Sequence, residues 1–309
     1  MAHFLVTGGA GFIGSHLVEA LVRRGDQVRV LDNFSTGSMD NLSAVKEQIS
    51  VIPADIRDPA VAREAADGVD VVLHLAALAS VPLSIERPQD THDHCASGTL
   101  SMLTAAQAVG VRRFVYSSSS SIYGNRDDQQ QTETDLPAPE SPYAAAKLAG
   151  EYYCSCFDRS MGLETVVLRY FNVFGPRQSL EGPYAAVIPA FITAALRGQP
   201  AVIYGDGSQT RDFTFVESVV SANLLAAETA AAAGQVFNVA HGTSTSVEQL
   251  HQLIQELTAT STPADYQQAR AGDVLHSKAN IERAVEQLNF QPDADLRAGL
   301  AKTIDYYRN

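Results

Sequence analysis

The chain has 309 residues, 45% of them hydrophobic, enough to bury one large core or two small ones and too many for intrinsic disorder. Acidic side chains outnumber basic ones 35 to 22, a net charge of −13 with a pI near 5.0, which excludes the basic footprint of a nucleic-acid or anionic-membrane binder. Any anionic ligand must therefore be held locally, by a few placed donors.

Cys95, Cys154 and Cys156 neither build a disulfide framework nor sit in CxxC spacing, so a reducing cytoplasm is expected. Met1–Val6 runs into an apolar segment without a basic leader, and no apolar stretch reaches the ~18 residues of a membrane span. A soluble protein is expected.

His3–Thr7 predicts a short strand stopping at glycines, and Ser15–Arg24 carries Leu17, Val18, Leu21 and Val22 at helical spacing. Gly25 ends that helix, Gln27–Leu31 predicts a second strand, and Asp32 stands at its carboxyl end. This completes a βαβ unit. Further strands are predicted at Ser50–Pro53, Val69–Leu75, Phe114–Ser117 and Thr165–Arg169, with helices at Gly98–Val109 and Tyr143–Asp158. Buried strands alternating with helices predict an α/β fold with a Rossmann-type doubly wound parallel sheet. Asn125–Ser141, rich in Gln, Asp, Glu and Pro, reads as an exposed loop. Beyond Phe174 the rhythm changes to Gly and Pro, and a smaller C-terminal α/β region begins. Ala226–Ala233 reads as an alanine-rich helix and Gln235–Ala240 as one more core strand, so the regions interleave. The expected division is 1–174 with 211–240 against 175–210 with 241–309.

Thr7-Gly8-Gly9-Ala10-Gly11-Phe12-Ile13-Gly14 places glycines at 8, 11 and 14 between strand and helix. That spacing allows a tight turn, lets a pyrophosphate approach main-chain N–H groups at the positive end of the helix, and lets helix pack on strand. Asp32, 18 positions beyond Gly14, would accept ribose hydroxyls and repel a 2′-phosphate, which favours NAD over NADP. After the third strand, Asp55 and Ile56 would meet the adenine edge.

Ser141-Pro142-Tyr143-Ala144-Ala145-Ala146-Lys147 puts Ser at an N-cap, Pro at the first helical position, and Tyr and Lys four apart on one face. A free tyrosine has a pKa near ~10, so a base at neutral pH needs positive neighbours, here Lys147 and the nicotinamide of NAD⁺. The serine run Ser117–Ser121 begins at a strand end, where hydroxyls face the ligand crevice of a doubly wound sheet.

TGGAGFIG, HLAA at His74–Ala77, SSS…YG, YAAAK and RYFN together resemble the extended short-chain dehydrogenase/reductase family. Within it the chain most resembles nucleotide-sugar 4-epimerases, especially the UDP-N-acetylglucosamine 4-epimerase branch. Arg169–Gly175, Gly182–Pro189, Gly205-Asp206-Gly207 with Arg211-Asp212-Phe213, and Arg270–Asp273 carry the more specific matches. The resemblance implies a catalytic Ser119, Tyr143 and Lys147 around NAD. Phe12, Ile13, Asn33, Ser35, Thr36, Gly37, Leu75, Ala76, Ala77, Ser117, Tyr170 and Val173 would complete the cofactor site. Tyr143 would take the proton of the sugar 4-hydroxyl while hydride leaves C4, and the 4-keto sugar would then turn and be reduced on its other face. Asn172, Arg211 and Arg270 would contact the diphosphate, Ala186, Val187, Ile188 and Tyr204 the uracil, and Asp273 the ribose. The family's paired helices, here around Ser97–Val109 and Tyr143–Asp158, imply a homodimer.

Two positions decide between subfamilies. Dehydratases and decarboxylases of the family carry an acid where Ser120 and Ser121 stand, so reversible epimerisation is expected, with a lyase as the alternative. Ser277 stands where epimerases restricted to plain hexoses have a bulky Tyr, which implies room for an N-acetyl group. Cys95 replaces a usual Asn near the nicotinamide pocket, and Ala79 replaces a lysine seen in some hexose epimerases. His92 and His94 diverge on a helix and predict no metal site. His74 is expected to be structural, and Cys154 and Cys156 to be packing residues. A non-catalytic NAD-sensing scaffold is the reading outside enzymology, and the complete Ser119, Tyr143 and Lys147 set argues against it.

Overall fold

The computed structural model describes residues 1–125, 130–179, 186–269 and 275–308. The chain begins β1 (His3–Thr7), α1 (Phe12–Arg24), β2 (Gln27–Asp32), β3 (Ser50–Pro53), α2 (Pro59–Ala66) and β4 (Val71–His74). It continues α3 (Val81–Glu86), α4 (Pro88–His92), α5 (Gly98–Ala108), β5 (Arg113–Ser119), α6 (Pro142–Met161) and β6 (Glu164–Tyr170). Next come β7 (Val173–Phe174), α7 (Val187–Leu196), β8 (Val202–Tyr204), β9 (Thr210–Arg211), β10 (Thr214–Phe215), α8 (Val216–Glu228) and β11 (Val236–Val239). The chain closes with β12 (Thr245–Ser246), α9 (Val247–Thr258), β13 (Asp265–Gln267), α10 (Glu282–Leu288) and α11 (Leu296–Arg308).

Seven strands form one parallel sheet in the order β11-β6-β5-β4-β1-β2-β3. Its central strands are apolar on both faces because helices cover both, and Val71, Val72, Leu73, Phe114 and Val115 have no exposure. Between β1 and β4 the order changes direction, so the connections leave to opposite sides and open a crevice at the carboxyl ends. β11 lies at the sheet edge beside β6, as the interleaved reading of Gln235–Ala240 requires.

A third cluster, with Phe174, Phe191, Ile192, Phe213, Phe215, Leu250 and Leu300, forms the core beyond the sheet. Packing also crosses between the 1–174 with 211–240 region and the rest of the chain. Ala284, Leu288 and Phe290 pack into the core under β1, while Phe213, Phe215 and Val216 belong to the C-terminal cluster.

The alanine run is not one helix. α8 stops at Glu228, Thr229 is extended at φ −71° and ψ 114°, and a 3-10 turn follows at Ala230–Ala232. The buried Arg113 guanidinium explains the break, because it draws the carbonyls of Ala226 and Thr229 to itself at 2.7 and 3.0 Å. Nor is Asn125–Ser141 simply exposed, although 126–129 lie outside the described residues. Gln131, 2% exposed, forms a bridge to Ala279, and the Asn238 amide donates to Glu133 at 2.8 Å. Polar composition misleads here because the partners are main-chain groups of distant segments.

Candidate active site

The crevice between β1 and β4 holds a cavity of about 390 Å³ that runs from Asp32 to Tyr143. Its floor is the glycine turn. A Cβ on Gly14 would stand 2.1 Å from the Gly8 carbonyl oxygen, so α1 reaches the strand only without that atom. Gly8, at φ 69°, passes 2.8 Å from the Ala76 nitrogen when a Cβ is added. Gly11 caps α1 without a side chain, which leaves helix N–H groups for an anion. Asp32, 7% exposed, accepts from the amides of Ala10 and Phe34 at 2.9 and 2.8 Å.

Of the expected cofactor residues, Gly8, Gly11, Phe12, Ile13, Gly14, Asp32, Asn33, Ser35, Thr36, Ile56, Leu75, Ala76, Ala77, Ser117, Tyr143, Lys147 and Tyr170 line this cavity. Gly37, Asp55 and Val173 do not. Gly37 packs against the Ala10 backbone, and Val173 faces the second cavity. Asp55 turns to Arg57 and Asn33; burial acts to raise its carboxyl, but the Arg57 fork at 2.9 Å overrides this and holds it well below the usual carboxylate range.

At the other end α6 lies close on β5. Ser141 caps α6 through the Ala144 amide, with Pro142 at the first turn, as its sequence predicts. The Tyr116 hydroxyl donates to the Lys147 carbonyl at 3.2 Å, and the Lys147 ammonium donates to the Ser117 carbonyl at 2.8 Å. Ser117 pairs with the Tyr170 hydroxyl at 2.9 Å, and Ser119, the last residue of β5, touches the Tyr143 phenol by a side-chain hydrogen bond.

The electrostatics differ from the expectation in one respect. Burial pushes the Tyr143 phenol above its ordinary range, the Cys95 thiol adds to this, and only the Ser119 hydroxyl pulls it down. Burial also lowers Lys147, whose nitrogen stands 5.9 Å from the Tyr143 ring centre. The protein groups alone therefore keep the phenol protonated.

His74 is structural, as expected. Burial lowers its pKa to about 3, and its ring bridges Thr7 at 2.8 Å and Thr99 at 3.0 Å. Thr99 donates onward to the Cys95 carbonyl at 2.7 Å, so it accepts from His74 Nε2, and Nδ1 accepts from Thr7. Cys95 sits in a π turn at Asp93–Ser97, packed against Tyr143 and Ala146. Cys154 is buried as expected; Cys156 is exposed, because it lies on the outer face of α6. Among the described residues no group of His, Cys, Asp and Glu forms a metal site.

A second cavity of about 660 Å³ brings together Asn172, Ala186, Val187, Ile188, Tyr204 and Arg211. Asn172 is held at φ 27° and Arg211 donates to the Thr210 carbonyl at 2.9 Å. Ser277 is buried, 7% exposed, and its amide donates to the Thr210 carbonyl, but it lines neither cavity. Arg270 and Asp273 lie outside the described residues.

Sequence reasoning missed Arg177, which lines the first cavity, and Gln178, which lines the second. The only local signal was a Gly175-Pro176 turn directly after the RYFN segment.

The UDP-N-acetylglucosamine 4-epimerase of Methanobrevibacter ruminantium, solved with UDP-N-acetylmuramic acid, superposes with a TM-score of 0.95 at 40% identity, covering 99% of this chain and 98% of that one. A UDP-glucose 4-epimerase of Mycolicibacterium smegmatis is 38% identical over 310 residues, 99% of this chain and 98% of the relative. A UDP-N-acetyl-alpha-D-glucosaminuronate decarboxylase of Bacillus cytotoxicus is 34% identical over 320 residues, 98% and 97% of the two chains. The family described as NAD dependent epimerase/dehydratase matches residues 4–240. With the glycine turn, the acidic strand end and the Tyr143–Lys147 helix converging on one crevice, the chain belongs to the NAD dependent epimerase/dehydratase family.

Proposed function

We propose that this enzyme inverts C4 of a UDP-hexose or UDP-N-acetylhexosamine. The observation that carries the proposal is the meeting of Ser117, Ser119, Tyr143 and Lys147 at the carboxyl end of β5, where no carboxylate stands in the serine run. The buried carboxylate that touches the run, Glu151, is committed to Arg169, which leaves elimination without its extra acid and base.

The residues fit NAD: Gly8, Gly11 and Gly14 form a cradle that Cβ atoms would fill, and Asp32 closes the ribose end. When bound, NAD supplies the reversible oxidant. Tyr143 removes the proton of the sugar 4-hydroxyl and later returns it to the same oxygen. Ser119 holds that oxygen beside the phenol, and Lys147, fixed on the Ser117 carbonyl, supplies positive charge behind it. Proton and electron pair both return to the sugar, so NAD acts as a tightly held prosthetic group.

Residues 1–174 with 211–240 would hold NAD, and 175–210 with 241–309 the nucleotide sugar. Asn172 and Arg211 would take the diphosphate, with Arg270 beside them; Ala186, Val187, Ile188 and Tyr204 would take the uracil, and Asp273 the ribose. The resemblance, rather than the lining of either cavity, supports a role for the small Ser277 in accepting the N-acetyl group, and a Ser277→Tyr variant with full N-acetylhexosamine turnover would overturn that point. A cytoplasmic location is proposed from the three unpaired cysteines; a homodimer is proposed from Tyr152, 60% exposed on α6, and the groove between α2 and α5, and sedimentation tests the dimer.

The deciding experiment incubates the purified protein with UDP-GlcNAc, UDP-Glc and UDP-glucuronate, each without added NAD. Epimerisation preserves product mass and changes configuration at C4. A mass loss of water or carbon dioxide would establish the lyase reading that the decarboxylase relative keeps open.

A further inference from the structure

The turn after β7 carries a guanidinium that no step above uses. Arg177 holds a left-handed backbone, φ 67°, a conformation that costs energy for any residue with a Cβ. Ala259 and Asn289 adopt it as helix C-caps, where the turn satisfies carbonyls. Arg177 caps no helix. Its Nη2 donates to Glu19 of α1 at 2.5 Å, and the adjacent Pro176 carbonyl accepts from His16 Nε2 at 3.0 Å. Two tethers thus fasten the turn to α1, whose amino end faces the pyrophosphate site. The other prong, Nη1, is buried and has no hydrogen-bond partner among the described residues. Arg177 lines the dinucleotide cavity together with Gly11, Phe12 and Ile13.

A buried donor left unpaired is destabilising, and a guanidinium donor more so than an amide. An anion delivered into the cavity removes that penalty. Resting on the dinucleotide reading of this cavity, we infer that Arg177 is a phosphate clamp. Nη1 donates to the pyrophosphate of NAD from the β7 side, while Glu19 aims the fork by holding Nη2. The left-handed backbone is retained because it turns the side chain back over α1. In a chain of net charge −13, the helix N–H groups then share the dianion with one fixed cation.

Arg177→Met, Arg177→Lys and Glu19→Gln test this against wild type. Calorimetry on protein freed of nucleotide measures NAD, ADP and adenosine, and acid release after gel filtration measures the NAD retained by the holoenzyme. Arg177→Met should weaken NAD and ADP by about tenfold or more, the worth of a charged hydrogen bond, and leave adenosine unchanged. Arg177→Lys keeps charge and bulk but not the fork; it should fold, bind NAD between the two extremes and retain less of it than wild type. Glu19→Gln should weaken NAD less than Arg177→Met. Equal losses for adenosine and NAD, a loss for NAD without one for ADP, or unchanged NAD affinity in both arginine variants would overturn the clamp alone. A wild type that binds no NAD would overturn the dinucleotide reading with it.

Discussion

Glu151 and Arg169 face each other behind the serine run, Nε to Oε1 at 3.0 Å and Nη2 to Oε2 at 2.7 Å, both side chains almost fully buried. The pair joins two partners that would otherwise be strangers. Ser118 donates to Glu151 from β5, and Arg169 donates to the Tyr123 hydroxyl at 2.8 Å, which donates to Asn238 on β11 at 2.7 Å. Glu151→Ala would leave a buried guanidinium uncompensated and should cost about 3–5 kcal/mol by urea unfolding. The double variant Glu151→Ala with Arg169→Met should lose less than the sum of the singles, which a double-mutant cycle reads directly.

His74 gives the fold an acid limit. Its pKa is lowered from 6.5 to about 3 by burial first and Lys147 second, so below pH 6.5 the unfolded chain binds the proton that the folded chain refuses. Its contribution is whole above pH 6.5 and disappears as pH falls toward 3, on the order of 5 kcal/mol over the full span. Asp212 works in the opposite sense: burial pushes its carboxyl up to about 7, so its share is whole below pH 3.8 and is lost as pH rises through about 7. The difference between wild type and His74→Gln cancels Asp212. Unfolding free energies from pH 4.5 to 7.5 should show that difference shrinking as pH falls, with His74→Gln left to the uncompensated Asp212 slope and growing more stable as pH falls through 7.

Much of the cofactor cradle was legible because Gly11 and Gly14 answer demands made within ten residues of chain. Gly14 is glycine because the Gly8 carbonyl occupies its Cβ position, and both lie in one motif. Arg177 was not legible: its meaning comes from Glu19, 158 residues away, and from a helix end that only the folded sheet brings near. The break in the alanine run likewise depends on Arg113 from β5, against a local propensity that favours helix throughout. Tyr143 and Lys147 were found by spacing, but spacing carries no burial, so the upward push on the phenol could not be read from it.

Gly150 lies between the helix that carries Tyr143 and Lys147 and the strand beneath it. A Cβ there would meet the Tyr116 hydroxyl at 2.2 Å, and Tyr116 has no exposure through which to retreat. Gly150→Ala must therefore lift α6 from β5, lengthening the Tyr116 contact with the Lys147 carbonyl. Overpacking of this kind costs about 1–3 kcal/mol. If positioning of the Tyr143–Lys147 face matters, kcat should fall while KM for the UDP-sugar changes little, because the second cavity is built from other segments. Steady-state kinetics on the folded variant provides the check.

On the proposed mechanism, Tyr143 would couple its ionisation to cofactor binding. Burial holds its phenol above the ordinary tyrosine range, so the cationic nicotinamide is the remaining charge able to draw the proton off. Linkage makes the effect reciprocal: if NAD⁺ lowers the phenol pKa, ionising the phenol must tighten NAD⁺ by the same factor. NAD⁺ affinity should therefore rise with pH in wild type, and binding at neutral pH should release protons, seen as a dependence of calorimetric enthalpy on buffer ionisation. In Tyr143→Phe both signatures should vanish while NAD⁺ still binds, and sugar turnover should fall by about 10²–10⁴, the usual worth of a positioned acid and base. A Tyr143→Phe protein that retained the pH-dependent affinity would place the titrating group elsewhere, with Lys147, whose own pKa burial lowers, the next residue to replace.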